Sequence, residues 1–192
     1  MELYLKSSEF IDSDNRNIKE QAKILAENQN SDYEIAKNCF EYVRDEIRHS
    51  WDYKLNPVTC KASEVLQHKT GYCYAKSHLL AALLRANNIP TGLCYQRLAL
   101  EEENSFCLHG LNAIYLKNYG WYRVDPRGNN NDVKAGFTPP DEKLAFKVIN
   151  KLEADFPEIW YEPLKMVTDI LTSKKNFLEV YKNLPDLQII RP

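Results

Sequence analysis

The sequence predicts an α+β fold in which a central helix packs on an antiparallel sheet, with further helices at both ends. Apolar residues recur at helical spacing near both ends of the 192-residue chain, and they alternate at strand spacing in the middle. All six glycines, which favour tight turns, lie between Gly71 and Gly136. Helices, strands and then helices favour an antiparallel sheet over a sheet of alternating βαβ units.

Composition predicts one globular domain over residues 1–192. The chain is 44% hydrophobic and 27% charged, with a formal net charge of −2, so no strong positive field collects nucleic-acid phosphates. No apolar run approaches the roughly 20 residues that span a bilayer. Because Met1–Lys6 does not lead into a secretory signal, we expect a cytoplasmic protein with neither a membrane nor a nucleic-acid partner.

The cysteines predict free thiols. Their number is odd, their spacing is wide and no CxxC occurs, which fits neither a zinc site nor a disulfide framework. We therefore expect no metal and no cofactor. The five positions are Cys39, Cys60, Cys73, Cys94 and Cys107.

Two helices are predicted in the N-terminal part. Ile18 and Ala22 belong to an apolar stripe at helical spacing, and Ser31 is placed to cap the second helix. Glu34 follows Ser31 by three residues, as in a capping box. A short helix over Ala62–Leu66 follows an aromatic, turn-like stretch.

The rest of the chain changes from helical to strand period and back again. The acidic run 101–103 predicts a solvated loop between strands. The predicted elements are a buried helix from Cys73 to about Asn87, strands at 93–98, 106–116, 120–125 and 144–148, and helices from Pro157 onward.

Cys73 is the candidate nucleophile. It begins the most apolar helix directly after a glycine turn, and free N–H groups in a first helical turn stabilise a thiolate. A nucleophilic cysteine also needs a base. His109 lies inside a strong strand, whereas His78 points to another face of the Cys73 helix, and His49 and His68 are expected to be exposed near helix ends.

Asp125 ends the strand that follows His109 and is the candidate partner of that histidine. If residues 117–119 form a three-residue loop, Leu116 opposes Gly120, and His109 and Asp125 share a face as diagonal neighbours. A two-residue loop would place them on opposite faces.

Three sequence blocks together resemble the transglutaminase-like superfamily, over residues 62–126. Flanking segments 1–58 and 157–185, both predicted to be largely helical, lie outside the resemblance. The blocks are Gly71-Tyr72-Cys73-Tyr74-Ala75 with Ala82-Leu83-Leu84-Arg85-Ala86 and Asn88-Ile89-Pro90, then His109 with Tyr115-Leu116, then Gly120-Trp121-Tyr122 with Val124-Asp125-Pro126.

The resemblance implies a papain-like architecture and a Cys73–His109–Asp125 triad. Cys73 would attack a carboxamide or ester carbonyl and form a thioester, His109 would carry protons, and Asp125 would hold the imidazole tautomer. The implied substrate is a peptide or protein amide, with water or an amine as the second nucleophile. For the oxyanion hole, Trp51 is suggested by the family, and Gln67 by its similarity to papain-type enzymes, which place a glutamine six residues before the cysteine.

Two departures from the family pattern leave the substrate class open. The family often has a Trp and a Glu where this chain has Leu111 and Ala113. They keep open a non-catalytic binding or scaffold module on the same fold. A further alternative is an arylamine N-acetyltransferase-like enzyme, which shares the Cys–His–Asp arrangement and would take acyl groups from CoA.

Overall fold

The computed structural model describes residues 1–100 and 105–188, so the acidic run 101–103 lies outside the described residues. A short 3-10 helix spans Glu2–Leu5. The elements that follow are α1 (Arg16–Ala26), α2 (Asp32–Glu46), β1 (Arg48–His49), α3 (Ser50–Tyr53), α4 (Ala62–His68), β2 (Thr70–Gly71), α5 (Cys73–Ala86), β3 (Thr91–Ala99), β4 (Phe106–Leu116), β5 (Gly120–Val124), β6 (Ala154–Asp155), α6 (Lys165–Ser173) and α7 (Phe177–Tyr181).

The N-terminal helices form where the sequence predicts them. The Ser31 side chain accepts a hydrogen bond from the backbone N–H of Glu34, which is the expected cap of α2. The Glu34 carboxylate accepts the N–H of Asn30 at 3.0 Å. In α1, Ile18 and Ala22 are buried, so the apolar stripe faces the core.

Helix α5 is the centre of the molecule, and all its residues from Cys73 to Arg85 are buried. It packs against α1, α2, α4, β3 and β4. Two of its buried polar side chains contact backbone carbonyls. Lys76 donates to the carbonyl of Ile47, and His78 Nδ1 lies 2.8 Å from the Cys60 carbonyl. These contacts join α5 to the segments that lead to β1 and to α4.

The antiparallel sheet has the strand order β5–β4–β3–β6. Leu116 pairs with Gly120 and Asn112 pairs with Val124, which confirms the predicted three-residue loop. Gly120 has a φ of +75°, a conformation that glycine adopts at little cost. Continuing this register places residue 111 opposite Asp125, so His109 and Asp125 are diagonal neighbours.

The predicted strand at 144–148 does not form, and the predicted helix from Pro157 begins only at Lys165. Instead, Ala154 pairs with β3, and Trp160 exchanges backbone hydrogen bonds with Leu93 at 2.9 and 2.7 Å. Glu153 accepts backbone N–H groups from Ile149 and Asn150. Within 144–148, the N–H of Ala145 donates to the Asp125 side chain instead of to a strand, and the pairing of Trp160 with Leu93 keeps that part of the segment out of a helix.

Gly110 of β4 allows the close approach of α5. A Cβ at this position would lie 2.9 Å from Cδ1 and 3.1 Å from Cα of Tyr74. We expect Gly110→Ala to lower the free energy of unfolding by about 1–3 kcal/mol, because overpacking must move the helix backbone. Urea denaturation measures this change.

Gly136→Ala is the matched control for this substitution. Its new Cβ would meet first the flexible Lys143 side chain at 3.0 Å, so we expect a change below about 0.5 kcal/mol. Equal stability losses in the two variants would contradict the close packing of β4 on α5.

Candidate active site

Cys73 is the first residue of α5 and lies at the end of the turn that β2 begins. Its side chain is nearly buried, with 6% of the residue exposed. Backbone N–H groups of a first helical turn have no intrahelical acceptor and carry the positive end of the helix dipole. The position therefore favours a negative charge on the sulfur.

His109 of β4 lies beside the Cys73 thiol, within hydrogen-bonding reach of it. The Nε2 atom of His109 lies 2.7 Å from Oδ2 of Asp125, which leaves Nδ1 for the sulfur. The Phe146 ring contacts the imidazole edge-on, with the centroids 4.9 Å apart. The structure thus brings together the three residues that the sequence proposes as a triad.

Asp125 is fully buried and receives more hydrogen bonds than the one from His109. The backbone N–H of Arg127 donates to its Oδ1 at 3.1 Å, and that of Ala145 donates to its Oδ2 at 3.2 Å. Burial raises the pKa of this carboxyl, but the charge and hydrogen bond of His109 and the two N–H groups outweigh burial and lower the pKa.

The electrostatics of the site favour a thiolate–imidazolium pair. Burial raises the pKa of Cys73, but the charge and hydrogen bond of His109, followed by those of His49, lower it to about 6. Burial lowers the pKa of His109, but the charges of Asp125 and Cys73 raise it to about 10. For the remaining cysteines, burial raises the pKa to about 12: Cys39, Cys60, Cys94 and Cys107.

His49 is a site residue that the sequence reasoning missed. The prediction that it is exposed is wrong, because only 6% of it is exposed and it lies within hydrogen-bonding reach of Cys73. It reaches this place because β1 pairs in parallel with β2, with His49 opposite Gly71. Strands of two residues leave no periodic signal in a sequence, so nothing in the pattern indicated this contact.

The two residues predicted for the oxyanion hole have other surroundings. Gln67 is exposed on α4. The Trp51 ring stacks on Tyr181 at 3.6 Å with an interplanar angle of 5°, and Lys54 Nζ lies 3.2 Å from its centroid. No hydrogen bond joins either side chain to Cys73 within the described residues.

Leu111 and Ala113 do not line an open cleft. Both are fully buried in a small cluster with Cys94, against which Trp121 and Leu144 pack. The departure from the family pattern therefore replaces polar and aromatic groups with hydrophobic packing on the strand that carries His109.

The C-terminal segment crosses the surface beside the thiol. The Tyr72 hydroxyl donates to the Phe177 carbonyl at 2.6 Å, and Leu108 N donates to the Pro185 carbonyl at 2.7 Å. Tyr72 and Leu108 are the chain neighbours of Cys73 and His109. We call residues 177–186 the C-terminal strap, since they join the two sides of the site.

Two kinds of feature are absent from the part of the chain that the structure describes. Residues 1–100 and 105–188 contain no helix long and apolar enough to cross a membrane. The same residues contain no group of three His, Cys, Asp or Glu side chains placed to hold a metal ion.

Comparison with known proteins identifies a family and a fold. A family model described as the transglutaminase-like superfamily matches residues 19–126. A Cytophaga hutchinsonii structure, provisionally named a cysteine protease, is 18% identical with a TM-score of 0.52, over 65% of this chain and 40% of that chain. No curated protein matches significantly. The fold likeness confirms the predicted α+β, papain-like architecture.

A second structure is similar over a smaller part of the chain. The periplasmic domain of TgpA from Pseudomonas aeruginosa is 17% identical with a TM-score of 0.46, over 58% of this chain and 42% of that one. This chain thus covers less than half the length of each of these two known structures.

The thiolate–imidazolium pair predicts the pH dependence of Cys73 alkylation. We expect the rate with iodoacetamide to rise with pH around a midpoint of about 6, the pKa of this thiol, because only the thiolate reacts. His109→Ala removes the counter-charge and moves the midpoint above about 8. Peptide mapping by mass spectrometry measures the rate at each cysteine.

Cys107, whose pKa burial raises to about 12, is the internal control for this experiment. A Cys73 midpoint near that of an ordinary thiol, about 8.5, would contradict the ion pair.

The C-terminal strap predicts restricted access to the thiol. Arg97 of β3 holds the strap through two 2.7 Å hydrogen bonds to Asp186. We expect Asp186→Ala to raise the pH-independent alkylation rate of Cys73 about tenfold, because weaker docking makes local opening more frequent. Asp169→Ala is the control, since it removes an exposed ion pair with Lys165 on α6. Equal rates in both variants would show that the strap does not limit access.

Proposed function

We propose that this chain, which belongs to the transglutaminase-like superfamily, is a cysteine-dependent amide hydrolase or acyltransferase. The observation that carries the proposal is the buried Cys73–His109–Asp125 arrangement, with His109 held 2.7 Å from Asp125 and within reach of the thiol. Cys73 is the nucleophile, His109 the acid–base, and Asp125 the positioning residue.

Acylation follows from the charges of the resting pair. The Cys73 thiolate attacks the carbonyl carbon, a C–S bond forms, and the π electrons of the carbonyl move to its oxygen. Collapse of this tetrahedral intermediate breaks the C–N bond, and the His109 imidazolium gives its proton to the departing amine or ammonia. The product of this half-reaction is a thioester at Cys73 with a neutral His109.

Deacylation uses the same residues in reverse. Neutral His109 takes a proton from water or from an acceptor amine, which attacks the thioester carbon. Collapse then expels the Cys73 thiolate and restores the ion pair. Water gives hydrolysis and an amine gives transfer, so the two outcomes differ only in the second nucleophile.

Asp125 acts by fixing the tautomer of His109. Its hydrogen bond at Nε2 keeps that nitrogen protonated, so that Nδ1 carries the proton exchanged with the sulfur and the substrate. The N–H groups of Arg127 and Ala145 hold the carboxylate, which limits rotation of the imidazole.

The cytoplasmic localisation and the peptide or protein amide substrate stay predictions.

Acylation by p-nitrophenyl acetate tests the proposal without knowledge of the natural substrate. We expect wild type to accumulate an acetyl group on Cys73, seen by intact mass and peptide mapping. Cys73→Ala and His109→Ala are expected to slow p-nitrophenol release by roughly 10³-fold or more, because they remove the nucleophile and the base. Asp125→Asn is expected to cost less than either, since the base remains.

Cys39→Ala is the matched control, because Cys39 is a buried thiol that contacts Asn87 rather than the site. Amine incorporation into casein, peptide release from casein, and acetyl-CoA as acyl donor separate transglutaminase, protease and N-acetyltransferase activity. A wild-type protein that no acyl donor modifies at Cys73 would refute the enzyme proposal and favour a binding module.

A further inference from the structure

We propose that His49 donates a hydrogen bond from Nε2 to the oxyanion of the tetrahedral intermediate, as the partner of the Cys73 backbone N–H. This inference rests on the proposed function and names a residue of the same site. Carbonyl additions need donors aimed at the oxygen where negative charge develops. The first helical turn of α5 supplies one such donor, and His49 is the side chain that the fold places beside it.

The backbone around His49 is rigid. Arg48 N donates to the Lys69 carbonyl at 3.0 Å, and the Thr70 hydroxyl donates to the Arg48 carbonyl at 3.1 Å. Lys76 of α5 donates to the carbonyl of Ile47, two residues before His49. The register of β1 on β2 therefore fixes the histidine relative to the residue that begins α5.

The imidazole ring of His49 is held in place but is not fully satisfied. It packs edge-on against Tyr72, with the centroids 5.4 Å apart. Its Nδ1 lies 3.5 Å from Oδ1 of Asp52 and makes no aligned hydrogen bond in the described structure. Because Nδ1 faces Asp52, the other nitrogen, Nε2, is the one available toward Cys73.

Asp52 supplies a fixed negative charge behind the ring. The Arg127 guanidinium donates to both of its carboxylate oxygens, at 2.8 and 2.9 Å. Burial raises the pKa of Asp52, but its interactions with His49 and Arg127 lower it well below the usual range. Because Arg127 binds both Asp52 oxygens and Nδ1 of His49 has no aligned hydrogen bond, the ring can carry its proton on Nε2, which then donates.

His109 and His49 have different partners, which separates their roles. His109 has a close, aligned carboxylate at 2.7 Å and exchanges protons with the thiol. His49 has a looser carboxylate that Arg127 already neutralises, so it serves as a donor rather than as a second base. Trp51 is stacked on Tyr181 and Gln67 is exposed, whereas His49 is buried and acts on the Cys73 thiol.

The test compares His49→Phe with His49→Gln in acylation by p-nitrophenyl acetate. Phe keeps a planar ring without a donor, whereas Gln presents an amide N–H close to the place of Nε2. We expect His49→Phe to lower kcat by about 10²–10³-fold with little change in KM, the usual loss for an oxyanion donor. His49→Gln is expected to remain within about tenfold of wild type.

Alkylation of Cys73 by iodoacetamide at pH 9, where the thiolate predominates, is the parallel readout, since it develops no oxyanion. We expect the alkylation rate of Cys73 to change less than about threefold in both variants. An unchanged rate would also show that the site is folded. His68→Phe, at an exposed residue that ends α4, is the control for loss of a histidine.

Full acylation by His49→Phe would overturn the inference while leaving the proposed function intact. Equal losses of kcat in the Phe and Gln variants would also overturn it. Such a result would indicate that His49 acts as a base or by packing, since an amide replaces neither role. Absence of acylation in wild type would instead refute the proposed function itself.

Discussion

The site depends on partners for the charged groups that it keeps inside the protein. A thiolate and an imidazolium removed from water are costly unless each has partners. Cys73 has the helix N-terminus, and His109 has Asp125 at 2.7 Å. Asp125 is itself fully buried and accepts hydrogen bonds from the N–H groups of Arg127 and Ala145. The loops after β5 therefore help to stabilise its charge.

The contact between His109 and Asp125 could be predicted from the sequence. The glycine after residues 117–119 set the hairpin register, and this register placed His109 and Asp125 together because strand pairing has a fixed period. The alternation of Leu144 and Phe146 predicts a strand that does not form. Leu144 packs on the Leu111 cluster and Phe146 on the His109 ring, so the pattern reflects contacts with the site.

His49 could not be predicted for a different reason. Its position depends on a parallel pairing between two residues of β1 and two of β2, which no hydrophobic period encodes. Arg127 then connects the two histidines of the site, because its side chain holds Asp52 and its backbone N–H holds Asp125. One residue thereby contacts both carboxylates, but only its contact with Asp52 depends on the arginine side chain.

Access to the site and its chemistry come from different parts of the chain. The family match covers residues 19–126, which include Cys73, His109 and Asp125, whereas the C-terminal strap lies beyond it. The strap bonds to the neighbours of both reacting residues, which are only 6% and 4% exposed. Contacts of the strap therefore limit the exposure of the two residues. The strap is held by polar contacts near both ends and by apolar packing between them, since Val180 is fully buried and Leu184 packs against the core. Its docking free energy therefore sets how often the thiol is open.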